Sequence, residues 1–213
     1  MYFMDMNREQ TSKHSKSQIP IPDTDERVNE IAKHIRAILS LIGEDPNRNG
    51  LIKTPLRAAK ALVYNTQGYQ QDADNIMSQA IFEYAGSKMI IVKDIEFYSM
   101  CEHHVLPFFG KISIGYIPTD SMIGLSKLAR VVNVFARRLQ VQERLTSEIC
   151  KSVTRTLKAK GVIVYCTAEH LCMKMRGVEK QGSSTTTTDY SGVFLNDASL
   201  RNEFYNLINA QYP

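Results

Sequence analysis

The chain has 213 residues, 43% of them hydrophobic, with 26 Lys and Arg against 22 Asp and Glu and a formal net charge of +4. That composition supplies one core of moderate size and excludes the dense basic stripe of a nucleic-acid binder. No apolar run is long enough to cross a bilayer, and the opening MYFMDMNREQ lacks a leader's apolar stretch, so no nucleic acid, no membrane and a cytoplasmic location are expected.

Residues 1–22 are polar and read as a flexible N-terminal tail, with too little apolar surface to offset their ordering entropy. Asp23 then reads as an N-cap, with Glu26 three residues on and Val28, Ile31, Ile35, Ile38 and Leu39 at helical spacing up to Gly43. A second helix opens at Thr54-Pro55, Thr as N-cap and Pro in the first helical position, and runs to about Gly68. Residues 23–85 are thus expected to form an N-terminal helical segment. KMIIVKDIEFYSM and GKISIGYIP read as strands, with a Cys-Glu-His-His stretch connecting them. Helices follow over about 125–139 and 142–159. GVIVYCTAEH is the next strand, and CMKMRGVEK the fourth, with SSTTTTDY extending its end. A last amphipathic helix starts near Asp197 and carries Leu200, Phe204, Leu207 and Ile208. The order over 86–213 is ββααββ plus a C-terminal helix, an α+β fold.

The four cysteines, Cys101, Cys150, Cys166 and Cys172, are expected to be reduced thiols in the cytoplasm, where metal binding or catalysis is favoured over a disulfide framework. Cys101 and His104 are spaced to reach one ion from a tight turn. Cys172 is the best third ligand for a site that leaves a fourth position to water. Cys166 sits in a strand-like apolar run and Cys150 within a helix, and both read as packed core thiols. Spacing alone leaves reduced structural thiols, or a Cys101–Cys172 disulfide, as alternatives. His103 reads equally as a surface histidine and His170 as a satisfied strand-end one.

Ser126 reads as the N-cap of an apolar-periodic helix, with Lys127 and Arg130 near its first turn. A helix N-terminus offers free N–H groups and a positive dipole end, so these residues compose an anion site; an ordinary solvated basic helix is the alternative. Arg57 and Lys60 share a face of the Thr54 helix, and Arg176 follows Cys172 by four positions. Gln142 and Glu143 open a helix. A carboxylate can accept the two parallel N–H groups of a guanine edge, and it can also simply complement the helix dipole.

These residues carry a resemblance. EDPNRNGLIKTPLRAAKA, MCEHHVLPFFGKISIGYIP, GLSKLARVVNVFARRLQVQERLT, HLCMKMRGV and SSTTTTDYSGVF are similar, in order, to GTP cyclohydrolase I over most of 44–208. The resemblance implies a zinc enzyme that opens the imidazole ring of GTP, releases formate and forms 7,8-dihydroneopterin triphosphate, the first step of pterin and folate biosynthesis. It implies Zn²⁺ on Cys101, His104 and Cys172, and catalytic roles for His103, which would protonate the guanine N7, His170 and Ser126. Triphosphate contacts would come from Lys127, Arg130 and Arg176, with Arg57 and Lys60 reaching across from a neighbouring subunit, and guanine recognition from Gln142 and Glu143. It further implies the tunnelling fold, its strands forming a barrel across subunits, a decamer of two stacked pentamers with active sites between subunits, and allosteric control. HHVLPF has Val105-Leu106 where the family more often shows Leu-Val, a volume-conserving swap. Two other readings are a non-catalytic GTP-binding zinc assembly protein of the same fold and a nitrile reductase using a cysteine nucleophile without zinc.

Overall fold

Two compact units divide the chain, Met1–Lys60 and Ala61–Pro213, and the computed structural model describes residues 24–210. The expected tail at 1–22 and the Asp23 cap lie outside the described residues. In the first unit, α1 (Thr24–Leu41) follows the apolar spacing. It stops at Gly43, whose φ of +92° is left-handed and needs no Cβ to be accommodated. α2 (Thr54–Asn65) begins in this unit and continues into the second. The Arg57 N–H donates to the Lys53 carbonyl, so Lys53 takes the cap position, and the Thr54 hydroxyl donates to the Gly50 carbonyl at 3.4 Å. The expected Thr54 cap is thereby corrected by one residue.

In the second unit, α3 (Ala73–Ser78) is capped by the Asp72 carboxylate, which accepts from the Asp74 and Asn75 N–H groups. Next come β1 (Ile81–Glu83), β2 (Ile90–Cys101), β3 (Pro107–Ile117), β4 (Ser121–Ile123), α4 (Leu125–Ala136), β5 (Leu139–Gln140) and α5 (Gln142–Leu157). Then follow β6 (Gly161–His170), α6 (Leu171–Lys174), β7 (Thr185–Gly192) and α7 (Ala198–Asn209). Five strands form one mixed sheet in the order β5-β2-β3-β6-β7, antiparallel except for the short β2–β5 pair. β1 and β4 form a separate two-stranded ribbon. The architecture is α+β.

The fourth long strand lies elsewhere than expected. CMKMRGVEK forms α6 and a turn in which Glu179 (φ +51°) and Gly177 (φ +71°) are left-handed. The ladder with β6 is made instead by the threonine run, from Ala168↔Thr185 to Gly161↔Gly192. β-branched threonines fit a pleated surface, and two left-handed residues interrupt any strand.

Alternation along β6 sorts the core into two layers. Val162, Val164, Cys166 and Ala168 join Leu128, Val132, Leu145, Ile149 and Val153 of α4 and α5 on one face. Ile163 joins Phe194 and Phe204, under α7, on the other. Each fully buried Leu, Ile or Phe contributes about 1.5–3 kcal/mol relative to exposure. No described helix is long and apolar enough to cross a membrane.

Candidate metal centre and active site

β2 ends at Cys101 and β3 begins at Pro107, so Glu102, His103 and His104 occupy the hairpin tip. The Cys101 N–H donates to the Leu106 carbonyl and the Val105 N–H to the Cys101 carbonyl, both at 2.8 Å. Closing this turn places Val105 at φ +54°, a costly conformation for a β-branched residue. The pairing Phe108↔His170 brings the end of β6 beside the start of β3. Gly110 permits this approach: a Cβ there would lie 2.0 Å from the Thr167 carbonyl oxygen. Cys172, in α6 directly after β6, thereby reaches the hairpin.

The ligand atoms of Cys101, His104 and Cys172 all lie within 4.8 Å of one another. Cys101 Sγ stands 3.9 Å from His104 Nδ1. A tetrahedral zinc with its usual bond lengths needs sulfur and nitrogen about 3.6 Å apart, so the Cys101–His104 pair is close to that spacing, and the soft donor set suits such an ion. Three protein donors leave a fourth position open, the pattern of a catalytic rather than a structural site. Burial, reinforced by the adjacent Cys101 thiol, pushes the Cys172 thiol up, and Arg176 opposes this. Burial raises Cys150 to about 11 and Cys166 to about 12, as befits packed thiols outside the cluster.

His103 is exposed at the tip, with Nδ1 3.7 Å from Cys101 Sγ and Nε2 3.9 Å from Glu102 Oε1. Arg144 holds that carboxylate from α5 through Nη2, while its Nε donates to Gln140 Oε1 at 2.8 Å. Gln140 in turn donates to Glu148 at 2.7 Å and to the Phe135 carbonyl at 3.1 Å. Sequence reasoning missed Arg144, since nothing in the spacing pairs it with a residue 42 positions away.

His170 stacks on Phe108, ring centroids 4.7 Å apart and planes 2° from parallel. Its Nε2 donates to Gln142 Oε1 at 2.8 Å. Burial holds the imidazole below its ordinary range, and the Glu143 carboxylate partly opposes this. Gln142 is 1% exposed and its side-chain amide is spent inside the fold, whereas Glu143 beside it is exposed.

The expected anion set stands apart. Gly124, rather than Ser126, occupies the N-cap position of α4, and no side chain caps the helix. Ser126 and Arg130 are exposed, and Lys127 Nζ donates to Gln79 Oε1 at 3.0 Å. Leu125 lines an open groove with Ile91, Val92, Lys93 and Asp94 near the start of β2. The other end of α4 leads into β5, where Leu139 and Gln140 pair with Met100 and Cys101. Twelve helical residues rise about 18 Å, so Ser126 and Lys127 lie toward the opposite end of β2 from the cysteines, and Arg130 lies half-way along the helix. Of the expected cations, Arg176 is the one close enough to Cys172 to act on its thiol. Arg57 and Lys60 are exposed on α2, in the first unit.

Residues 31–209 match the family model described as GTP cyclohydrolase I. The chain belongs to the GTP cyclohydrolase I family. It is 55% identical over 186 residues to "GTP cyclohydrolase 1" of Porphyromonas gingivalis, covering 87% of this chain and 96% of that protein. It is 48% identical over 195 residues to the Dictyostelium discoideum protein of the same name (92% and 84%). To that of Campylobacter jejuni it is 51% identical over 176 residues (83% and 93%). A solved structure of archaeosine synthase QueF-Like in the apo form aligns at 16% identity and a TM-score of 0.39, over 51% of this chain and 97% of that chain, a likeness too slight to carry an argument.

Proposed function

We propose that residues 86–213 form the catalytic domain of a GTP cyclohydrolase, and that Cys101, His104 and Cys172 hold the zinc ion at its centre. The observation that carries this reading is the convergence of those three donors within 4.8 Å, on a chain of this family. Zinc held by these three residues would supply Lewis acidity that lowers the pKa of a coordinated water. His103, at the tip beside the cluster, donates a proton to guanine N7, which makes C8 electrophilic. Formate leaves after hydrolysis at C8. His170, with Ser126 of a neighbouring copy, serves the later proton transfers by which the ribose rearranges and the ring closes to 7,8-dihydroneopterin triphosphate. The exposed Glu143 accepts the N1–H and 2-amino N–H groups of guanine.

Lys127 and Arg130, with Arg57 and Lys60, bind the triphosphate, which contributes remote binding energy rather than chemistry. Arg176 joins them from beside Cys172. Because Ser126 and Lys127 stand at the far end of α4 from the cysteines, with Arg130 half-way along it, a complete site takes them from a neighbouring copy. That need supports self-association, and the proposed form of it is the one the family resemblance implies: a tunnelling-fold barrel in a homodecamer of two stacked pentamers, in the cytoplasm.

Purified protein given GTP, with and without a zinc chelator, tests the reading. Chelator-sensitive release of formate together with a fluorescent pterin is the expected result. GTP binding without formate, in zinc-replete buffer, would favour the non-catalytic assembly protein.

A further inference from the structure

We infer that Gln142 is a positioning residue for His170, in place of the guanine contact expected of its side chain. The inference rests on the role given to His170 above, and its structural half stands without it. The Gln142 side-chain nitrogen lies 3.2 Å from the Cys166 carbonyl oxygen, 3.0 Å from the Thr185 carbonyl oxygen and 3.2 Å from Thr187 Oγ1. Two of those three partners can only accept. Turning the amide over would set its oxygen against two carbonyl oxygens, so the network itself fixes which end is NH₂. The Gln142 oxygen therefore faces His170 Nε2 at 2.8 Å, and an oxygen there can only accept.

It follows that His170, in its neutral form, carries its proton on Nε2 and presents a bare Nδ1. Phe108, stacked on the ring, prevents rotation out of this plane. A glutamine with 1% of its surface exposed and both ends of its amide occupied has nothing left to offer a base. What it does instead is choose the histidine nitrogen available to exchange protons with substrate. β6, β7 and α5 each supply part of this holder: Cys166 and His170 from β6, Thr185 and Thr187 from β7, Gln142 from α5.

The test has a kinetic and a spectroscopic arm, both on the zinc-loaded protein. Gln142→Ala, His170→Ala and the double variant are assayed with GTP and with inosine triphosphate, which lacks the 2-amino group. Gln142→Ala is expected to lower kcat about ten-fold or more, to leave KM for GTP within about three-fold, and to keep the preference for GTP over inosine triphosphate. The double variant should be no slower than His170→Ala alone. A raised KM with lost discrimination would restore the guanine contact, and additive losses would show that Gln142 acts without His170. The second arm leaves Gln142 unchanged. In ¹⁵N-histidine-labelled wild-type protein the His170 signal, assigned by its loss in His170→Gln, should show a protonated Nε2 and a bare Nδ1. The reverse tautomer would overturn the inference. Full activity in His170→Ala would instead remove the catalytic role of His170, while the tautomer still decides whether Gln142 sets the ring.

Discussion

Arg144, in the first turn of α5, donates its guanidinium to the carboxylate of Glu102 in the β2–β3 hairpin. The same nitrogen donates to the Leu139 carbonyl at 3.1 Å, and Nε to Gln140, so one planar fork ties the hairpin to β5. Arg144→Ala should release Glu102 and loosen the seat of His103. The expected outcome is a kcat about ten-fold lower with zinc content unchanged, checked by steady-state kinetics and metal analysis. Arg144→Lys should recover little, because a lysine cannot serve three acceptors from a planar fork.

Ligand and acid separate cleanly. Cys101→Ala, His104→Ala and Cys172→Ala should each lose zinc and turnover together. His103→Ala should keep zinc while turnover falls about 10²–10⁴-fold, the range for removing a positioned general acid. Metal analysis beside a formate assay checks both. Normal turnover in the His103 variant would remove its assigned role.

Val105 holds a left-handed conformation at φ +54°, for which asparagine is far better suited. Val105→Asn should stabilise the folded chain by about 1 kcal/mol, read as a higher midpoint in thermal or denaturant unfolding. Its side chain is exposed, so little apolar burial is forfeited.

Asp74 is the acid-sensitive joint between α3 and α5. Burial raises its carboxyl, but hydrogen bonds from Ser152, Arg155 and Thr156 and the Arg155 charge outweigh that and leave it below the ordinary value. A lowered folded-state value means the stabilisation is present above the unfolded aspartate range and is lost as pH falls through the folded one. Asp74→Asn should therefore destabilise the protein at neutral pH and flatten the acid side of its stability profile, measured by denaturant unfolding across pH.

Within single elements the sequence was informative. GVIVYCTAEH becomes β6 residue for residue, because its alternation is bounded by a turn before and a short helix after. Asp197 caps α7 by accepting from the Leu200 N–H, as its position before an amphipathic run suggested. Spacing paired Cys101 with His104 and left Cys172 as the best third candidate, the family resemblance implied the trio, and the three ligand atoms converge. The strand in CMKMRGVEK was misplaced because backbone reversals at Gly177 and Glu179 leave no hydropathy signature. The Ser126 cap was misplaced by two residues because Gly124 already occupies that position. The work of Gln142 and Arg144 depends on partners 24 to 45 residues away, across two strands and a hairpin, and no local pattern encodes such meetings. Nor could periodicity tell which end of α4 faces the cysteines.

Cys101 and Cys172 stand about 70 residues apart in the chain, so an ion gripping both closes a loop around β3, α4, α5 and β6. Such an ion would bind the folded chain and not the unfolded one, where those ligands are dispersed, so its binding free energy would add to the stability of the fold. An ion that served the reaction would then also be a rivet through the sheet, and removing it with a chelator should lower the unfolding midpoint together with the activity.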